Sequence, residues 1–139
     1  MRLLIIGGTG ITRLLVERGD EVVLYNRGRR ISQIEGSYET IIGDRKDFTV
    51  FEKQMEEAGH FGCVIDMFCF MPAEAESAVR AFTGRTDHYV FCSTVDVYSK
   101  PAIVYPITEE AERLPSEKFS YAYNKARCEE LLFKAHEDG

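Results

Sequence analysis

No run in the 139-residue sequence approaches the roughly 18 consecutive apolar residues that a membrane-spanning helix requires, so a membrane partner is not expected. The start also lacks the long apolar stretch and cleavage site of a secretory signal peptide. Cysteine is scarce. Cys63, Cys69, Cys92 and Cys128 show no CxxC spacing, and three of them sit in apolar surroundings. Buried free thiols in a reducing cytosol are therefore expected rather than disulfides, which makes the chain cytoplasmic on this reading. His60, His88 and His136 are scattered and form no metal-ligand cluster. Positive charge is in deficit, with 17 Lys and Arg against 23 Asp and Glu and a net charge of -6. That balance argues against nucleic acid as a partner, since broad binding of a polyanion favours a basic face. Repeats and low-complexity segments are absent.

What is present is ordinary globular composition, 45% hydrophobic and 29% charged, in a chain long enough for one buried core. Arg2-Leu3-Leu4-Ile5-Ile6 is an apolar run without alternation, as expected of a strand covered on both faces in a parallel sheet. Ile11, Leu14 and Leu15 fall at helical spacing, with Gly19 placed to end the helix. Further strands are expected at 21–25, 39–42, 61–66 and 88–92. Helices are expected at 48–58, from Pro72 to about Phe82, and from about Glu117 to Ala135. Five strands alternating with helices predict an α/β, doubly wound parallel sheet of Rossmann-like form. Ligands of such sheets bind beyond the carboxyl ends of the strands.

The residues after each strand carry the chemistry. Gly7-Gly8-Thr9-Gly10 follows the first strand and precedes a helix, where glycines allow a tight turn and close approach of backbone to a pyrophosphate. Gly7, Thr9 and Gly10 are the expected cofactor contacts there. The third glycine of the usual pattern is replaced by Arg13. This βαβ unit is also short. Arg2 through Tyr25 falls below the roughly 30 residues usual for one, and the expectation is that several residues are missing between Gly10 and Arg13. After the second strand come Asn26-Arg27-Gly28-Arg29-Arg30, with no carboxylate. An acidic residue there would select NAD, whereas arginines accept a 2′-phosphate. Asn26, Arg27 and Arg30 therefore favour NADP over NAD. Asp44, after the third strand, has two readings: acceptor for the adenine amino group, or simply a turn residue after Gly43.

Tyr121 and Lys125 are spaced i, i+4, so both side chains share one face of the last helix. An ammonium beside a phenol stabilises the phenolate, which suits the pair to proton exchange. Lys125 is also placed to hold a nicotinamide ribose. Thr94, after the fifth strand, adds a hydroxyl able to orient a substrate alcohol or carbonyl. Ser93 is read as backbone-facing, Asp96 as a surface or loop residue in preference to a catalytic acid, and Tyr98 and Tyr123 as packing or substrate-facing aromatics.

Taken together, Ile5-Ile6-Gly7-Gly8-Thr9-Gly10, Gly43-Asp44, the run from Cys92 to Tyr98 and Tyr121-Ala122-Tyr123-Asn124-Lys125 resemble the extended short-chain dehydrogenases/reductases of the NAD-dependent epimerase/dehydratase group. The resemblance spans nearly the whole chain and corresponds to the N-terminal Rossmann part of that family. It implies one NAD(P)-binding domain over 1–139, incomplete and lacking most of the C-terminal substrate-binding portion. It also implies Thr94 as the catalytic hydroxyl, Tyr121 as the catalytic acid or base, and Lys125 as the lysine that tunes it. The implied reaction is hydride transfer at a hydroxyl or carbonyl carbon of a small-molecule substrate, such as a nucleotide sugar, with a homodimer by analogy. A different class of function, a non-catalytic dinucleotide-binding module that senses redox state or binds a protein partner, is kept open by Arg13. RNA binding, known in relatives with a similar Asn-Arg-Gly loop, is disfavoured by the net charge.

Overall fold

A computed structural model describes residues 1–29, 34–102 and 104–139. The elements run β1 (Arg2–Ile6), α1 (Thr9–Arg18), β2 (Glu21–Asn26), β3 (Glu39–Ile42), α2 (Phe48–Ala58), β4 (Cys63–Asp66), α3 (Pro72–Phe82), β5 (Tyr89–Phe91), a 3-10 turn (Val95–Val97) and α4 (Ser120–Glu137). The five strands form one sheet in the order β3-β2-β1-β4-β5, and every pairing is parallel. This is the doubly wound α/β arrangement expected from the sequence. Ile6 pairs with Tyr25 on one side and Asp66 on the other, and Asp66 pairs with Phe91. Four strands thus end at the same level, and their following loops share one edge.

The chain divides into two compact units, one of Met1–Phe68 with Ser77–Cys92 and the other of Cys69–Glu76 with Ser93–Gly139. The first is the sheet unit. β1 lies at the sheet's centre, and Leu3 through Ile6 are buried on both faces, which is why the run does not alternate. Leu4, Ile6, Val23 and Val64 pack against Phe51, Met55 and Phe82 on one face; Ile5, Val22 and Leu24 pack against Ile11, Leu15 and Val16 on the other. Tyr25 meets Phe51 edge-on, with ring centroids 5.2 Å apart.

The termini of the elements follow local chemistry. Gly19, at φ +88°, ends α1 in a Schellman motif: its N–H donates to the Val16 carbonyl and that of Asp20 to the Leu15 carbonyl. Asp47 caps α2 by accepting from Val50 N–H at 3.2 Å. In the second unit the Glu74 carboxylate reaches back to the N–H groups of Phe70 and Met71 at the start of α3, at 2.6 and 3.0 Å.

The glycine turn leads into α1, a helix of ten residues. Arg13 lies on its exposed side, 3.8 Å from Glu17, and Leu14, one of the residues at helical spacing, is 60% exposed. β4 begins at Cys63 rather than Phe61, which instead makes an isolated parallel bridge to Thr86. α4 begins at Ser120, not Glu117, because Phe119 N–H closes a turn onto the Ser116 carbonyl. All four cysteines are free, and Cys63, Cys69 and Cys128 are buried. Among the described residues no helix is long and apolar enough to cross a membrane.

Candidate functional site

The sheet unit holds a cleft of about 550 Å³ at the carboxyl ends of β1, β2 and β3. Gly7 and Gly8 form its floor at φ +75° and +76°, a left-handed conformation that costs a side-chain-bearing residue about 1–2 kcal/mol. Space is equally decisive: a Cβ on Gly8 would come within 3.0 Å of Met67 Cγ. Gly8 caps α1 without any side-chain cap bond, and the first turn contains no acidic residue. The positive end of the helix is therefore left for an external anion.

The other wall comes from β2 and β3. Asn26 uses its side chain to build the turn, its Oδ1 accepting from Gly28 N–H at 2.6 Å, while its carbonyl accepts from Gly43 N–H at 2.9 Å. Arg27 and Arg29 project into this region, and the Arg27 guanidinium lies 5.8 Å from the Phe68 ring centroid. The Asp44 carboxylate accepts from Lys46 N–H at 3.0 Å, so it serves as a turn residue while also lining the cleft. Tyr25 closes the base. Its hydroxyl is buried without a hydrogen-bond partner, and burial pushes the phenol up to about 12.

Beneath this cleft lies a buried polar group that sequence reasoning missed. Asp66 has no exposed surface; its Oδ2 accepts from the Tyr89 hydroxyl at 2.7 Å and Arg45 Nη2 at 3.5 Å, and its Oδ1 from Phe68 N–H at 2.9 Å. Arg45 is only 3% exposed and lies 3.9 Å over the Phe51 ring. The one sequence signal was Asp66 itself, a charged residue ending an otherwise apolar strand.

Of the expected cofactor contacts, Gly7, Thr9, Asn26, Arg27 and Asp44 line the cleft. Gly10 sits one residue further into α1 and does not line it. Arg30 lies outside the described residues. Among the described residues no group of three His, Cys, Asp or Glu side chains is arranged to hold a metal. The donor set fits a dinucleotide: backbone at a helix N-terminus for phosphates, guanidinium groups at the end of β2, and a glycine floor that a Cβ would fill.

The second unit carries the three expected catalytic residues. Thr94 opens the 3-10 turn, its Oγ1 accepting from Asp96 N–H at 3.3 Å and lying 3.4 Å from the Asp96 carboxylate. Lys100 pairs with the same carboxylate and holds it below the usual carboxylate range. Tyr121 sits in the first turn of α4 and is 41% exposed, with its ring 6.3 Å from that of Phe70. Lys125, one turn on, is 2% exposed, and its Nζ lies 4.8 Å from the same Phe70 ring centroid. Tyr121 is thus partly exposed while Lys125 is held inside, both against one aromatic ring. Asn124 fixes the start of this helix to Met71, Nδ2 to Sδ at 3.5 Å.

No family model matches the chain. Among curated proteins it is similar to the chloroplast stem-loop binding protein of 41 kDa b of Arabidopsis thaliana, at 28% identity over 128 aligned positions, covering 79% of this chain and 33% of that protein. Solved structures share the fold over nearly the full chain. They include the UDP-glucose 4-epimerase of Bifidobacterium longum, in complex with NAD+ and UDP (TM-score 0.81, 17% identity, 99% of this chain and 50% of that one). The UDP-glucose 4-epimerase of Thermotoga maritima, with UDP-glucose, gives TM-score 0.82 at 15% identity over 99% and 52%. The nucleoside-diphosphate-sugar epimerase of Agrobacterium tumefaciens gives TM-score 0.77 at 21% identity over 100% and 49%. The chain therefore has the fold of the N-terminal Rossmann part of these epimerases, and it spans about half their length and a third of the plant protein's.

Proposed function

We propose that this chain is the cofactor-binding and catalytic part of a nicotinamide-dinucleotide-dependent oxidoreductase of the epimerase/dehydratase type. The observation that carries the reading is the placement of Tyr121 and Lys125 one turn apart against Phe70, in a chain whose sheet unit carries a glycine-floored, arginine-lined cleft. Several proteins of the same fold were solved with NAD, among them the epimerase of Brucella ovis. The preference for NADP rests on Arg27 and Arg29 and on the lack of a carboxylate at the end of β2. The proposed substrate class is a nucleotide sugar, such as the UDP-glucose bound by the Thermotoga maritima epimerase of the same fold.

In this reading the dinucleotide pyrophosphate rests on the Gly7–Gly8 turn at the N-terminus of α1. Tyr121 exchanges a proton with the substrate hydroxyl through its phenolic oxygen. Lys125, buried one turn along the same helix, supplies the neighbouring ammonium. Thr94 offers its hydroxyl to the substrate oxygen, an exchange that replaces its present contact with Asp96. When bound, the nicotinamide ring accepts or returns a hydride.

The test is turnover of UDP-glucose and UDP-galactose with NAD+ or NADP+ by the complete protein that contains this chain and by its Tyr121→Phe variant. Turnover that falls at least about 100-fold in the variant, with cofactor affinity unchanged, supports the assignment. Equal turnover in both proteins contradicts it. Saturable cofactor binding with no turnover of any sugar nucleotide identifies the alternative, a non-catalytic dinucleotide-binding module. A second reading, RNA binding, is favoured by one observation, the stem-loop binding of the plant relative, and opposed by the net charge of -6. A salt-sensitive gel shift with a stem-loop RNA would establish it.

A further inference from the structure

After β4 the chain reverses over the glycine turn, and a buried carboxylate sets how it does so. Asp66 Oδ1 accepts from Phe68 N–H at 2.9 Å, an Asx-type turn, while Oδ2 is engaged by Tyr89 at 2.7 Å and Arg45 at 3.5 Å. Both carboxylate oxygens are thus committed, and the backbone at Phe68 is fixed from β4, β5 and the loop after β3. Phe68 itself is 37% exposed, a large apolar side chain at the mouth of the cleft. A Cβ built on Gly7 would lie 3.6 Å from Phe68 Cβ, so the residue stands directly against the glycine floor. Its ring faces the Arg27 guanidinium at 5.8 Å, within the range of a cation–π contact.

We propose that Phe68 is a specificity-determining residue of this cleft, holding the Arg27 guanidinium ready for the 2′-phosphate of a phosphorylated dinucleotide, with Asp66 the positioning residue behind it. An arginine on a loop otherwise loses rotamer freedom when it grips a phosphate, and a ring that already restrains it lowers that loss. The inference rests on the dinucleotide reading above and assigns a cause to the expected NADP preference.

The experiment is calorimetric titration of the full chain with NADP+ and, separately, NAD+, for the wild type, Phe68→Leu, Arg27→Met and the double variant. Phe68→Leu is expected to weaken NADP+ binding by about three- to fivefold and NAD+ binding by less than about twofold, the scale of an exposed cation–π contact. In the Arg27→Met background the same change should cost NADP+ affinity nothing further. Asp66→Asn should lower the selectivity as Phe68→Leu does. Phe68 is partly exposed, so its variant keeps the test valid where Asp66→Asn fails to fold. Equal losses for the two dinucleotides, no loss, or additive losses in the double variant would overturn the proposal. A wild type that binds both dinucleotides equally well also overturns it and leaves dinucleotide binding intact. A wild type that binds neither removes both readings.

Discussion

The Tyr89 hydroxyl donates a 2.7 Å hydrogen bond to Asp66, a carboxylate with no exposed surface, and so ties β5 to the end of β4 beneath the cleft. Removing that donor leaves the carboxylate with Arg45 and Phe68 N–H, whereas removing the carboxylate takes an anionic partner from a guanidinium that is 3% exposed. Tyr89→Phe should therefore destabilise by about 1–2 kcal/mol and Asp66→Ala by about 3–5 kcal/mol. Urea denaturation followed by circular dichroism measures both. Equal losses would show that the Arg45 charge is not compensated by Asp66.

The Tyr25 hydroxyl predicts a dependence on alkaline pH. Burial raises the phenol from 10.0 to about 12 in the folded chain. The folded state therefore holds this proton more tightly than the unfolded state. Its contribution to stability is fully present below pH 10 and is lost as pH rises towards about 12. Denaturation midpoints measured across that window should fall, and Tyr25→Phe should remove this part of the fall. Because the hydroxyl is buried without a partner, the same variant at pH 7 should be neutral or slightly stabilising.

Gly43 makes a sharper packing prediction. A Cβ there would lie 2.3 Å from Tyr25 Oη and 2.4 Å from Gln54 Oε1. Gly43→Ala must push a buried ring or the wall of the cleft aside, at a cost of about 1–3 kcal/mol. Thermal melting detects it; an unchanged melting temperature would mean that the β3 loop moves freely.

Much of this was legible in the sequence for local reasons. The unbroken run Leu3–Ile6 marked a strand covered on both faces. Gly19 and Pro72 marked a helix end and a helix start, since each acts within one turn of itself. The glycine turn, Asn26, Arg27 and the Tyr121–Lys125 spacing followed in the same way. Arg45 was not legible: its burial depends on Asp66, 21 residues away, and on the Phe51 ring. Asp66 in turn depends on Tyr89, 23 residues further on. The start of α4 was misplaced because Glu117 and Lys118 suit a helix as well as the turn that Phe119 closes onto Ser116.

Lys125 separates charge from packing. Lys125→Met keeps an unbranched chain against Phe70 but removes the ammonium 4.8 Å from its ring. Turnover should fall by about 100-fold or more while the variant still folds, as circular dichroism would show. A loss of folding equal to the loss of activity would assign Lys125 to structure alone.

The most direct measurement is a titration of the chain with NADPH and NADH, followed by nicotinamide fluorescence and repeated for Gly8→Ala. Saturable binding that is displaced by the oxidised cofactor, and weakened when a Cβ at φ +76° is forced against Met67, is the expected result. Absence of saturable binding at millimolar cofactor, or binding indifferent to Gly8→Ala, would contradict a dinucleotide site at the glycine turn.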